Sequence, residues 1–75
     1  MIKLSKEEFQ EEVIKGLLEG LSQQEISEKL KNNDMDPYSL SSIEKLLKNL
    51  KEAYNAKTYF HLGAIIATRR YYLKK

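Results

Sequence analysis

GLSQQEISEKL, residues 20–30, is the stretch on which the fold turns. Gly20 stands where a helix end calls for positive φ, which glycine adopts without the steric penalty a Cβ brings. Ser22 then opens a new helix. Its hydroxyl is placed to accept from the Glu25 backbone N–H, and the Glu25 carboxylate to accept from the Ser22 N–H, a reciprocal capping box. Leu21 and Ile26 flank that box as a hydrophobic staple. The reading is helix, sharp turn, short helix, the opening of a helix-turn-helix; a capped connection in another helical bundle carries the same local signature.

Upstream, a helix is expected over about residues 6–19, with Ser5 as N-cap and Glu7 and Glu8 in the dipole-favoured first turn. Phe9, Val13, Ile14, Leu17 and Leu18 form its apolar stripe. The short second helix covers about residues 23–32 and buries Ile26 and Leu30, one turn apart. NNDMDPYS, residues 32–39, is rich in turn formers. Met35 and Tyr38 are its few apolar anchors, so most of this turn is expected on the surface, mobile and tolerant of shortening.

A third helix is expected over about residues 39–54. Ser39, with a Tyr38–Ile43 staple, and Ser41, in a second capping box with Glu44, are alternative N-caps. Leu40, Ile43, Leu47, Leu50 and Tyr54 make the inward stripe, with Leu46 at its margin; Ser41, Ser42, Lys45, Lys48, Asn49 and Glu52 stay outside. Asn55 suits a left-handed cap, and Thr58 an N-cap for a fourth helix over about residues 58–71. In that helix Tyr59, Phe60, Leu62, Gly63, Ala64, Ile65, Ile66 and Ala67 set apolar surface nearly all the way round, more than one core hides. The expected architecture is all-α: one compact four-helix domain with a helix-turn-helix and a C-terminal dimerisation helix.

A chain of 75 residues lies near the lower limit for an unaided core, so modest stability or a stabilising partner is expected. With no cysteine and one histidine, disulfide and zinc chemistry have no ligands to work with, and no metal or cofactor is expected. The longest apolar stretch, residues 62–67, is too short to span a bilayer, and no signal-peptide pattern opens the chain, so a cytoplasmic location is expected. No nucleophile–base pair, carboxylate dyad or phosphate-cradling glycine loop is present, which argues against an enzyme. No small-molecule ligand is evident either. Residues 1–38 carry five Lys against nine acidic residues, net −4; residues 39–75 carry eight Lys or Arg against two Glu, net +6. Such sorting points the second half at an anionic surface, nucleic acid first among the choices.

EVIKGLLEGLSQQEISEKL, residues 12–30, resembles the first half of the LuxR/GerE-type (FixJ/NarL-like) helix-turn-helix domain, whose pattern is close to EVL-x-L-x-x-G-x-(S/T)-x-x-E-I-A-x-x-L. Val13, Ile14, Leu17, Gly20, Ser22, Glu25, Ile26 and Leu30 fall in register, with Ser27 at the usual alanine. SIEKLLKNLKEAYNAKT, residues 42–58, resembles the recognition helix and its exit, and the likeness covers about residues 4–73. The chain departs from the pattern in three places. Leu30 and Ile43 are farther apart than in the family, Glu44 and Leu46 stand where lysine and histidine are frequent, and the opening is longer, read as an extended first helix.

The resemblance implies sequence-specific binding to double-stranded DNA by a transcription regulator or its DNA-binding domain. Met1 so close to the first helix favours a stand-alone form, although a piece of a larger regulator would begin the same way. Ser41, Ser42, Lys45, Lys48 and Asn49 of the third helix would meet base edges and phosphates in the major groove. Asn49, a mediocre residue inside a helix, is the most telling of these. Ser22, Gln23 and Gln24 would present a helix N-terminus to a phosphate, and Lys57 and Thr58 would hold another. The resemblance also implies a homodimer through the fourth helix, with Leu62, Ile65 and Ile66 as interface candidates, one isoleucine facing inward and Ile65 favoured as the partner contact. His61 reads as a structural residue, and the Tyr71–Tyr72 pair as an apolar closure. The competing reading is a helical protein–protein interaction module on the same scaffold that does not bind DNA, favoured by Glu44 and the small net charge.

Overall fold

Four helices form where the caps place them, in a computed structural model that describes residues 1–73, with side chains through residue 70. α1 spans Lys6–Leu18, α2 Gln23–Asn32, α3 Leu40–Ala53 and α4 Tyr59–Leu73. At α1 and α2 the caps are full capping boxes: Ser5 Oγ accepts from the Glu8 N–H at 3.1 Å, and Ser22 Oγ from the Glu25 N–H at 3.1 Å. Each glutamate accepts back from its serine's N–H at 2.8 Å. Gly20 takes φ +84° at the α1–α2 junction and Asn55 takes φ +55° after α3, as expected of left-handed caps. Thr58 Oγ1 accepts from the His61 N–H at 3.0 Å and so caps α4. Ser39, not Ser41, caps α3, accepting from the Ser42 N–H at 3.3 Å.

The fold is all-α in class, and all four helices contribute to one core. Val13, Ile14, Ile26, Leu30, Ile43, Leu47, Leu50, Leu62 and Ile66 are buried, with Phe9 at its edge. α1 and α2 approach closely at Gly16, which is buried; a Cβ there would lie 2.7 Å from Ile26 Cγ1. Glycine inside a helix costs about 1 kcal/mol relative to alanine, and here it is what lets Ile26 seat against α1. Lys29 Nζ bridges from α2 to the Glu19 carboxylate at 2.9 Å, and Arg70 of α4 pairs with Glu11 of α1. Two apolar positions differ from the expected stripes: Leu40 and Leu18 are about two-fifths exposed, because each sits at the end of its helix, where the core stops.

The segment between α2 and α3 is not the free surface turn its composition predicts. Met35–Asp36 forms a short strand, β2, paired in parallel with β1, Ile2–Lys3, at the start of the chain. The Ile2 N–H donates to the Asp34 carbonyl and the Leu4 N–H to the Asp36 carbonyl, both at 2.7 Å. Met35 and Tyr38 pack on the core, residues 35–38 are half-buried, and Ser27 Oγ donates to the Tyr38 carbonyl at 2.6 Å. Residues 32–34 and Ser39 are exposed, and Asp34 turns the chain at φ +58°. The longer opening and the longer turn are therefore one feature: each supplies the strand that satisfies the other's backbone groups.

Candidate nucleic-acid interface

α3 has a core side and a solvent side, set by the 3.6-residue repeat that sends Ile43, Leu47 and Leu50 inward. Ser41, Glu44, Lys45, Lys48, Asn49 and Glu52 are exposed on the other side. Ser42 is half-buried and engaged in the cap, its hydroxyl accepting from Ser39 Oγ at 2.8 Å. Its side chain is thus committed to folding rather than held out toward a ligand. Lys45 and Lys48 form no ion pair with the described residues, so their charge is available to a partner.

A polar cleft of about 530 Å³ joins three elements: Gln23 from α2, Ser41, Glu44, Lys45 and Lys48 from α3, and Tyr59 from α4. Tyr59 is fixed there by Lys51, whose ammonium lies 4.8 Å from the ring centroid. Neither Lys51 nor Tyr59 was marked by any sequence motif; their partnership arises from the α3–α4 packing.

At the N-terminus of α2 the capping box has taken part of the expected site. The Ser22 hydroxyl and N–H are both bonded to Glu25, which brings a carboxylate to the helix start. Hydrogen bonding from Ser22, first through its backbone and then its side chain, holds the Glu25 carboxyl below the ordinary glutamate range, so the group is ionised there. The N–H groups of Gln23 and Gln24 find no acceptor among the described residues and remain the donors that a phosphate would meet. The exposed Lys57 side chain stands just ahead of α4, while its backbone N–H donates to His61 Nδ1 at 3.1 Å. Thr58 is spent on the helix cap, and exposed His61 serves the same turn through both its backbone and its ring.

Of the three interface candidates on α4, Leu62 departs from expectation, and Ile66 is the isoleucine that faces inward. Leu62 is wholly buried and Ile66 is 3% exposed, both within the chain's own core, so neither is open to a partner. The physical reason is register: they lie one turn apart and share the stripe that meets α1 and α3. Ile65 is half-buried, beside His61, Ala64, Thr68 and Arg69. The apolar residues turned to solvent are Phe60, 88% exposed, with Ala64 and Ala67. They border an apolar groove of about 390 Å³ floored by Leu17, Leu18, Leu21 and Gly63. The Tyr71–Tyr72 pair lies outside the residues whose side chains are described.

Among the described residues, no helix is long and apolar enough to cross a membrane. Comparison with protein-family models, with curated proteins and with solved structures returns no match.

Proposed function

We propose that this chain binds double-stranded DNA as a cytoplasmic transcription regulator or the DNA-binding part of one, with α3 in the major groove. The observation that carries the reading is the cleft in which Ser41, Lys45 and Lys48 of α3 converge with Gln23 at the start of α2. This places two free lysines and unsatisfied helix N–H groups on one surface, the combination that sets a protein on a phosphate backbone. Asn49, exposed on the same side of α3, extends it, and Lys57, exposed two residues ahead of the cleft's Tyr59, adds a further cation. The register of residues 12–30 with the LuxR/GerE-type pattern supports the same reading.

The proposal includes a homodimer through α4, with the contact moved to Phe60, Ala64 and Ala67. The small residues admit a second helix closely, and Phe60 projects next to a groove on its own face, so a two-fold axis would seat each Phe60 in the other copy. Such a dimer would address half-sites about 10 bp apart.

Titration of mixed-sequence duplex at two salt concentrations tests the reading. Affinity should fall with salt at a log–log slope of about −0.9 per neutralised phosphate, and Lys57→Ala should make that slope shallower by about one. Salt-insensitive or undetectable binding would favour a protein-interaction module instead. That second reading has its own observation, the exposed Phe60 face together with Glu44 and Glu52 on the outer side of α3.

A further inference from the structure

Glu44 makes no bond that holds the fold together. The capping box it would form with Ser41 is not made, because Ser39 caps α3. Its carboxylate is exposed, lines the cleft with Lys45 and Lys48, and makes no hydrogen bond or ion pair with the described residues, although Lys48 stands one turn away. On a surface that meets phosphates, an uncompensated carboxylate is repelled, and any residue without charge would bind DNA more tightly there. A carboxylate gains on duplex DNA only where it accepts from an exocyclic amino group on a base edge.

Resting on the DNA-binding reading, we infer that Glu44 is a specificity-determining residue that accepts a hydrogen bond from the N4 amino group of a cytosine in the major groove. Cytosine is favoured over adenine by the arrangement of acceptors. Adenine sets N7 beside its N6 amino group, so a carboxylate approaching N6 faces a lone pair, whereas the major-groove edge of cytosine offers the amino donor alone. The guanine paired with that cytosine presents O6 and N7, two acceptors, and Lys48, one helical turn from Glu44, has the donors to meet them. The acid and the base of the cleft together match one C·G pair in a single orientation. Glu44 thereby weakens binding to all other sequences and spares the cognate one, so discrimination is gained by repulsion as well as attraction.

The test is selection of bound duplexes from a random pool by the wild-type chain, Glu44→Gln and Glu44→Ala, with circular dichroism to establish that each exposed-site variant is folded. The wild type should enrich an invariant cytosine and prefer it roughly tenfold. Glu44→Ala should lose that preference while binding mixed-sequence duplex more tightly. Glu44→Gln should move the preference toward adenine, since an amide donates to N7 and accepts from N6. If the wild type binds duplex DNA in a salt-dependent way but all three proteins select the same base there, the inference about Glu44 is overturned and the DNA-binding reading stands. If the wild type binds no duplex, both fall.

Discussion

α3 and α4 each press one apolar stripe into the same core, yet what they leave outside is opposite in kind. The outer side of α3 is serine, lysine, asparagine and glutamate; that of α4 is Phe60, Ala64 and Ala67 beside an apolar groove. Folding alone accounts for the first, since any polar residue serves on a solvated helix face. It does not account for the second, because an 88% exposed phenylalanine adds nothing to the monomer's core. The difference also shows where the basic charge of the second half goes. Arg70 pairs with Glu11, Arg69 lies 5.0 Å over the Tyr54 ring and Lys51 holds Tyr59, so internal contacts occupy these three. Lys45 and Lys48 on α3, and Lys57 ahead of α4, are left exposed and without an ion pair among the described residues.

The sharpest way to break this division is to cut each helix on its inner and its outer side. Leu62→Ala removes a wholly buried side chain and should destabilise the fold by about 2–5 kcal/mol, measured by urea denaturation. A variant that keeps its stability and changes only its association state would return Leu62 to the interface. On the outer side, Phe60→Glu should leave monomer stability within about 0.5 kcal/mol, while weakening self-association by roughly tenfold or more, or about 1.4 kcal/mol, read by sedimentation. Unchanged association would mean that Phe60 serves another partner. An unfolded chain would mean that its ring is needed by the core.

The same contrast shows what the sequence makes legible. Where a helix boundary is set by one side chain bonding to backbone three residues away, as at Ser5, Ser22 and Thr58, the local sequence contains the whole interaction. The stripes of α1 to α3 are legible for the same reason: period and polarity agree. β1 and β2 were not, because two residues have no periodicity and the energy of the pairing lies between segments more than thirty positions apart. In α4, apolar residues on every side erase the phase that would separate Leu62 and Ile66 from Phe60, so the buried Leu62 stood among the interface candidates beside Ile65, which lies outside the core. At the candidate site, the exposed face of α3 was legible from the repeat. That the Ser42 hydroxyl is drawn into the cap of α3 was not, because Ser39 and Ser41 both fit the local sequence as N-caps and only the fold chooses between them.

Gly16 belongs between these cases. An isolated glycine inside an amphipathic helix is a visible signal of close approach, but its partner Ile26 is not readable without the packing. Gly16→Ala gains about 1 kcal/mol of helix propensity and meets Ile26 Cγ1 at 2.7 Å, with Ile26 itself buried and unable to swing away. Overpacking of this kind costs about 1–3 kcal/mol, so the net result should be a loss of up to roughly 2 kcal/mol in thermal or urea unfolding. A stabilised variant would show that α1 and α2 have room to separate.

The smallest effect lies on the polar side, at the start of α2. The Glu25 carboxyl is held below its ordinary range by bonding to Ser22, and that of Glu19 by Lys29, first through their hydrogen bond and then through its charge. A carboxylate with a depressed folded-state pKa contributes stability that is present above its unfolded pKa and is lost as pH falls through the folded one. Glu25→Gln keeps an oxygen that accepts from the Ser22 N–H but has no proton to gain. The variant's unfolding midpoint should therefore decline less than the wild type's as pH drops through and below the usual carboxylate range. What decline remains should include the Glu19–Lys29 pair, which is exposed and screened by salt. Added salt should thus flatten the residual slope in the variant while leaving the capping contribution in the wild type nearly intact, because a hydrogen bond at contact distance is little affected by counterions. Identical pH profiles for the two proteins would remove the capping carboxylate from the account of acid stability.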